Sequence, residues 1–429
     1  MSLRSFLHHV ARLRAPLAFS AAVTAALLAT PASAQPEPTS LQAFTGVTLY
    51  DGTGRAPVVN ATVLVQQGRV VSAGPSASVA IPAGATVVAL PGKFLMPGLI
   101  NAHGHASSVR NLATYAAYGV TAVYSLGDET AEVFAARAQQ ATRAPQHARV
   151  FVSGPVLMPT SPADARTKVA DVVAHGADIV KIRVDDNLGT ASKMTPAIYR
   201  AVIDEAHRRG KRVAVHVYYL DDAADLLTAG ADFIAHSVRD RAVDAPFVQR
   251  LRQRNVCYSP TLMREVSTFV YDTVPAFFAD SLFLAHADRQ WMATVTEPAR
   301  MAATRASASA QRYKAQLPLA MRNLRTLFEA GVPIAMGTDT GPLGRFQGYF
   351  ELRELELMVE AGLSPQAVLY SATGGAATCM QLQSELGTIE PGKHADFLVL
   401  EASPLDDMRN IRRQHSVWIG GQRIATPSR

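Results

Sequence analysis

Eight short apolar runs, each followed by a polar residue or a turn and separated by helix-like stretches, limit this chain more than any other feature. They read FLMPGLINAH, VTAVYSL, ARVFVSG, DIVKIRV, RVAVHV, DFIAHS, VCYSP and VPIAMGTD. In the intervening TPAIYRAVIDEAHRRG and FQGYFELRELELMVEAG, apolar residues recur at spacings of three and four, the mark of an amphipathic helix. Eight strand-helix units predict an α/β fold: a (β/α)8 TIM-type barrel over residues 94–384. A doubly wound open sheet is the rival reading, but it less naturally supplies eight strand ends with polar residues at each.

The flanks have a different rhythm. From 41 to 93 the chain reads as β runs (AFTGVTLYDG, ATVLVQQGRVVSAG, ATVVALPGK) punctuated by Gly, Pro and Asp-Gly, and LGTIEPGKHADFLVLEASPLDDMRNIRRQHSVWIGGQRI returns to β runs at the far end. Together they predict a small flanking β-sandwich domain built from both chain ends, residues 35–93 plus 385–429. Between the seventh and eighth runs lie roughly seventy residues, far beyond an ordinary connection. This stretch predicts a helical insertion over about 264–318, attached where a lid over the strand ends would sit.

Residues 1–34 have Arg4, Arg12 and Arg14, then the acid-free apolar run APLAFSAAVTAALLAT, then small residues at Ala32 and Ala34. That order is a secretory signal peptide cut after Ala34; an uncleaved anchor is the alternative, although the run is shorter than the ~20 residues a spanning helix needs. An exported chain is expected, periplasmic or extracellular. Cleavage removes those three arginines and lowers the formal charge from +6 to +3. The remaining charges are interspersed, so neither nucleic acid nor a membrane is an expected partner. A small-molecule substrate is expected, and a homo-oligomer is compatible with the sequence. Cys257 and Cys379 are too few for a disulfide scaffold, and no bond between them is expected.

In NAHGH, alternate strand residues share a face, so His103 and His105 can point at one spot near the strand's end. Two neutral imidazoles there can bind a divalent metal, while a pair of satisfied or surface histidines is the plain alternative. Four more residues stand at the ends of their own runs: Lys181, His216, His236 and Asp339. Barrel enzymes collect catalytic groups from such ends. Lys181 sits inside an apolar strand, where an unpaired ammonium is costly and calls for a partner, a shifted pKa or covalent modification.

With these residues in view, the chain resembles the metal-dependent amidohydrolase superfamily, close to its imidazolonepropionase-like and prolidase-like exported members. The resemblance runs from about 41 to 425 and is carried by FLMPGLINAHGH, AHRRGKRVAVHV, ADFIAHS, AGVPIAMGTDTG and LGTIEPGKHADFLVL. It implies that His103, His105 and Asp339 bind one metal and His216 and His236 a second. Lys181 would become a carbamate by adding carbon dioxide and bridge the two ions, zinc being the first choice for such ligands. It implies hydrolysis of a carbonyl compound by metal-activated hydroxide, with Asp339 moving the proton. Relatives often carry Asp at the position of Asn101 and a Gly-rich stretch where this chain reads RVDDNLG, so the substrate does not carry over directly.

The expected reaction is cleavage of a non-cyclic amide C–N bond, in an N-acyl amino acid or a dipeptide-like compound. A cyclic amide, a lactone or a phosphotriester is the alternative at the same site, and a catalytically inactive binding protein the alternative of another class. Arg183 shares a face with Lys181, and Tyr218 with His216, so both are candidate substrate contacts; Arg183 could hold a carboxylate bidentately or simply pair with Asp185 or Asp186. Arg239 is a third candidate, with an ion pair to Asp240 as its structural alternative. Tyr258, Thr261 and Arg264 could line the same pocket.

Overall fold

The computed structural model describes residues 41–425. The expected signal peptide lies outside them, and among the described residues no helix is long and apolar enough to cross a membrane. In chain order the strands are β1 (Gln42–Leu49), β2 (Val58–Gln66), β3 (Arg69–Pro75), β4 (Thr86–Ala89) and β5 (Phe94–Pro97), then β6 (Leu99–Gly104), β7 (Val120–Ser125) and β8 (Arg149–Val152). They continue with β9 (Val180–Arg183), β10 (Val213–His216), β11 (Phe233–Ala235) and β12 (Cys257–Ser259), and finish with β13 (Phe397–Leu400), β14 (Gln414–Ile419) and β15 (Gln422–Arg423).

The first five strands and the last three form one mixed sheet in the order β15-β14-β13-β5-β1-β2-β3, with β4 beside β1. The first and last described strands therefore share one sheet. β1 pairs with β4 through residues 42–45 and with β5 through Thr48 and Leu49. A bulge at Gly46, where φ is +76°, separates the two stretches and lets one strand serve both partners. Phe44 packs edge-on against Phe397 and Trp418, which fastens the N-terminal strands to the C-terminal ones. The turn between β14 and β15 is Gly420-Gly421, both at positive φ, as a two-residue hairpin loop requires.

One boundary differs from the sequence reading. Phe94–Pro97 was expected to open the barrel, but as β5 it lies between β13 and β1 in the flanking sheet. The apolar run continues unbroken into β6, so hydrophobicity does not mark where one sheet ends and the next begins.

Two parallel sheets follow, β6-β7-β8 and β9-β10-β11-β12. Isolated parallel bridges join Leu157 to Ile182, Tyr258 to Ile334 and Thr340 to Gly104. The eighth run, VPIAMGTD, was expected to be a strand; it carries the isolated bridge at Ile334, and the bridge at Thr340 follows directly after it. His103 O accepts from both Thr338 N (3.0 Å) and Asp339 N (2.6 Å), and Asp339 has φ +58°, so the backbone leaves the ladder as it reaches the site. Residues alternate along the strands: Val180, Ile182, Val213, Val215 and Ile234 pack with the large cluster that includes the helices, while Ile179, Ala214, Phe233 and Ala235 form a second, inner cluster. Lys181 and His216 fall on the inner side of this alternation.

Arg149 of β8 makes a buried ion pair with Asp396, 2.7 Å from Nε, and Asp396 also accepts from Gly420 N. This joins the parallel strands to the flanking sheet. The absent bond between cysteines was a wrong expectation: Cys257 and Cys379 are joined, with Cα atoms 5.7 Å apart and 122 residues between them in sequence. Cys257 opens β12 and Cys379 ends the helix Gly374–Cys379, so both reach the N-terminal end of the parallel strands. The insertion is helical as expected and longer, from Leu262–Ser267 through three short helices to Ala308–Glu329.

Candidate metal centre

His103 is the penultimate residue of β6 and His105 lies one residue past its end. Together with Asp339 they bring one ligand atom each to within 4.8 Å of one another. His105 Nδ1 faces the Gly127 carbonyl at 3.1 Å, so that nitrogen donates and Nε2 is turned inward, 2.7 Å from Asp339 Oδ1. An imidazole lone pair and a carboxylate oxygen at that separation need positive charge between them, supplied by a proton or by a metal ion. In the metal-free protein the proton is favoured: burial works against it, but the hydrogen bond and charge of Asp339 raise the His105 pKa above its usual value.

The other imidazoles are neutral. Burial, helped by the neighbouring Lys181, holds His103 well below the usual histidine range, and burial likewise lowers His216 to about 3 and His236 well down. The three rings lie in a row, tilted or edge-on to one another, with centroids 4.5 Å apart for His103 and His236 and 4.1 Å for His216 and His236. His103 Nδ1 is buried with no hydrogen-bond partner among the described residues. Lys181 Nζ lies 3.4 Å from His103 Nε2, and burial brings its pKa down to about 7. His216, His236 and Lys181 thus lie next to the cluster, while His103, His105 and Asp339 alone of the six bring ligand atoms within 4.8 Å of one another.

Backbone geometry at this place is unusual. His236 (φ +74°), Thr261 (+49°) and Asp339 (+58°) all adopt left-handed conformations, which are uncommon for residues other than glycine and cluster at functional sites. Two are ligand candidates, and Thr261 Oγ1 is 2.8 Å from His236 Nδ1, orienting that ring. His216 Nε2 is 3.2 Å from Asp185 Oδ2. Burial pushes the Asp185 carboxyl up, but His216 and Arg183 outweigh it and hold it well below the usual carboxylate range.

The substrate candidates have varied surroundings. Arg183 donates to Asp185 (2.6 Å) and Asn187 (3.0 Å), so its guanidinium is engaged. Tyr218 is buried and its hydroxyl meets Gln316 of the insertion. Arg239 is fully buried: Nε is 3.0 Å from Glu265, Nη1 reaches the Val217 carbonyl at 3.2 Å, and the guanidinium lies 4.6 Å over the Tyr218 ring. Its predicted neighbour Asp240 instead accepts from Leu220 N. Tyr258 accepts from Val238 N. Arg264 stacks 4.6 Å over Tyr313, with Nε 4.0 Å from Asp339 Oδ2.

Several residues of the centre were not singled out from the sequence. Arg345 pairs with Asp339 and is the main opponent of the burial that would raise that carboxyl, so Asp339 stays ionised. Tyr313 and Gln316 come from the insertion, where no motif marks them. Glu351 and Glu354 lie on the buried face of Tyr349–Glu360 among Phe350, Leu352 and Leu355. Two acids three residues apart on an apolar helical face were the available signal.

Residues 94–424 match the amidohydrolase family. Ochratoxinase of Aspergillus niger is 25% identical over 288 residues, 64% of this chain and 52% of that protein, so the chain spans about half the length of this curated relative. Imidazolonepropionase of Nocardia farcinica is 24% identical over 80% of this chain and 86% of its own. Among solved structures, one from Bifidobacterium longum, provisionally assigned as a prolidase, superposes with a TM-score of 0.74 at 28% identity, covering 91% of this chain and 95% of that one. With the family match running from β5 to the last described strand, the chain belongs to the amidohydrolase family.

Proposed function

We propose that this protein is a metal-dependent hydrolase of open-chain amide C–N bonds, acting on an N-acyl amino acid or a dipeptide-like compound. The observation that carries the reading is the convergence of His103, His105 and Asp339 within 4.8 Å, with the imidazoles of His216 and His236, both lowered by burial, beside them. His103, His105 and Asp339 would hold one ion and His216 and His236 a second. Lys181, whose pKa near 7 leaves much of the amine unprotonated at neutral pH, would add carbon dioxide and lie between them as a carbamate. A divalent ion, zinc being the natural choice for this donor set, supplies Lewis acidity toward the carbonyl and an activated water.

The chain's own groups do the rest. Asp339 is held ionised, which suits a group that receives a proton at its carboxylate and returns it to the departing nitrogen. Thr261 and Gly127 fix the rings of His236 and His105. With Arg183 tied to Asp185 and Asn187, the substrate carboxylate is better served by Arg239 and Arg264. Arg239 Nη2 and Arg264 Nε are buried without hydrogen-bond partners among the described residues, and an anion satisfies such donors. The insertion, through Tyr313 and Gln316, would exclude water above them.

The three bridges that join the ends of the two parallel sheets support one closed eight-unit barrel that begins at β6, after β5, with the flanking β domain formed by β1 to β5 and β13 to β15. The Cys257–Cys379 disulfide supports an oxidising, exported setting. The likeness to imidazolonepropionase favours a second reading, a cyclic amide at the same site. The deciding experiment is metal content on protein purified without added metal, with intact mass for carbon dioxide on Lys181, followed by a screen of N-acyl amino acids, dipeptides and cyclic amides. Two ions, a carbamate and turnover of open-chain amides are expected. Protein that neither retains nor binds zinc sinks the reading.

A further inference from the structure

Behind the candidate ligands lies a buried carboxylate that touches none of them. Glu351 is fully buried, and its Oε1 accepts from Asn101 Nδ2, Thr338 Oγ1 and Thr340 Oγ1, each at 2.6 Å. Every donor flanks a ligand. Asn101 turns its other amide atom, Oδ1, toward His103 N at 2.9 Å, two residues before that histidine's partner His105. Thr338 and Thr340 bracket Asp339, and Tyr115, 2.7 Å from Thr340 Oγ1, also donates to the His105 carbonyl. One oxygen thus ties the end of β6 to the segment that carries Asp339.

A carboxylate is a demanding choice for this place. It is desolvated, and its second oxygen has no hydrogen-bond partner among the described residues. An amide could supply one acceptor for the same three donors at lower desolvation cost. What an amide lacks is negative charge, and negative charge behind a ligand set strengthens its hold on a cation.

We infer that Glu351 is a positioning residue for the metal: through Asn101, Thr338 and Thr340 it sets the spacing of His103, His105 and Asp339 and adds a buried negative charge to that site. Asn101 is neutral because its amide must donate to Glu351 while its carbonyl receives His103 N. The pair is an Asn–carboxylate couple whose polarity can be reversed. Exchanging the two functions, as in Asn101→Asp with Glu351→Gln, keeps one carboxylate and one amide in the pair: the Asp oxygens receive His103 N and the Gln amide, while the Thr hydroxyls, which met the same oxygen as Asn101, keep only part of their bonding.

The inference rests on the metal reading above, and the test separates the two. Zinc affinity of metal-stripped protein is measured by chelator competition, with circular dichroism for the fold, on wild type, Glu351→Gln, Asn101→Asp and the double variant. Failure of the wild type to bind zinc overturns the metal reading itself. Given wild-type binding, Glu351→Gln is expected to weaken zinc about 10- to 100-fold, as loss of an outer partner of metal ligands does. Asn101→Asp removes the amide N–H that Glu351 accepts and sets two acceptors against each other, so it is expected to weaken zinc by releasing the position of His103. The double variant, which again holds one carboxylate and one amide, is expected to bind zinc more tightly than the worse single variant and more weakly than wild type. Wild-type zinc affinity in Glu351→Gln, or a double variant that binds zinc or folds no better than the worse single variant, overturns the role assigned to Glu351.

Discussion

The two ends of the parallel strands are built from the same elements and hold opposite kinds of chemistry. At the C-terminal end stand Lys181, the four histidines and Asp339, with left-handed backbone at His236, Thr261 and Asp339 and arginine nitrogens without hydrogen-bond partners among the described residues. At the N-terminal end, β12 is tied by the Cys257–Cys379 disulfide, and a cavity of about 550 Å³ opens beside it, lined among others by Arg212, Asp232 and Tyr370. The former end concentrates polar groups at a cost in desolvation and backbone strain. The latter spends its covalent link on holding the chain together. This is the division expected when parallel strands feed a site at one end only, and it means that damage at the two ends should be read by different instruments.

The sharpest break of the comparison is Asp339→Asn. Turnover is expected to fall about 10³-fold by loss of the proton carrier, with thermal stability little changed; steady-state rates on protein whose metal content is verified are the check, and near-normal turnover would remove Asp339 from the mechanism. The reverse pattern is expected of Cys257→Ala with Cys379→Ala. Opening a link across 122 residues should lower stability by about 2–5 kcal/mol, seen in denaturant unfolding, with kcat and KM retained. A large loss of kcat in that variant would show that the two ends are coupled.

A smaller effect is expected from Arg264→Lys. A point charge replaces a planar fork, so KM for a substrate with a free carboxylate should rise about 10-fold while an amidated analogue is unaffected. Equal effects on both substrates would assign Arg264 to packing against Tyr313 instead. The mildest prediction concerns Glu354, which accepts from Leu262 N and Met263 N and so fixes the start of the insertion. Burial raises its pKa from 4.5 to about 8, with Glu351 and Glu265 adding to the shift. The folded protein therefore binds the proton more tightly than the unfolded chain, and this contribution is fully present below pH 4.5 and lost as pH rises to about 8. Glu354→Gln should flatten that part of the melting-temperature profile; an unchanged slope would show that the fall has another source.

Much of this was legible in the residue string. The apolar runs and the helix period between them give the order of strands and helices, and each ligand candidate stands at the end of its own run, where a parallel strand must deliver it to a shared site. What the string could not reveal depends on distance across the fold. β5 reads as continuous with β6 because hydrophobicity does not record a change of partner. Cys257 and Cys379 read as too few for a disulfide scaffold, and only the tertiary structure brings them together across 122 residues of sequence. The engagement of Arg183 by Asp185 and Asn187, the burial of Arg239 against Glu265, and the grip of Glu351 on Asn101 are equally non-local or depend on side-chain direction. Residue type and period thus determined which groups could do chemistry and at which strand ends. Tertiary packing alone decided which of them face one another, because hydrogen bonds and ion pairs act over about 3 Å, a separation that sequence distance does not encode.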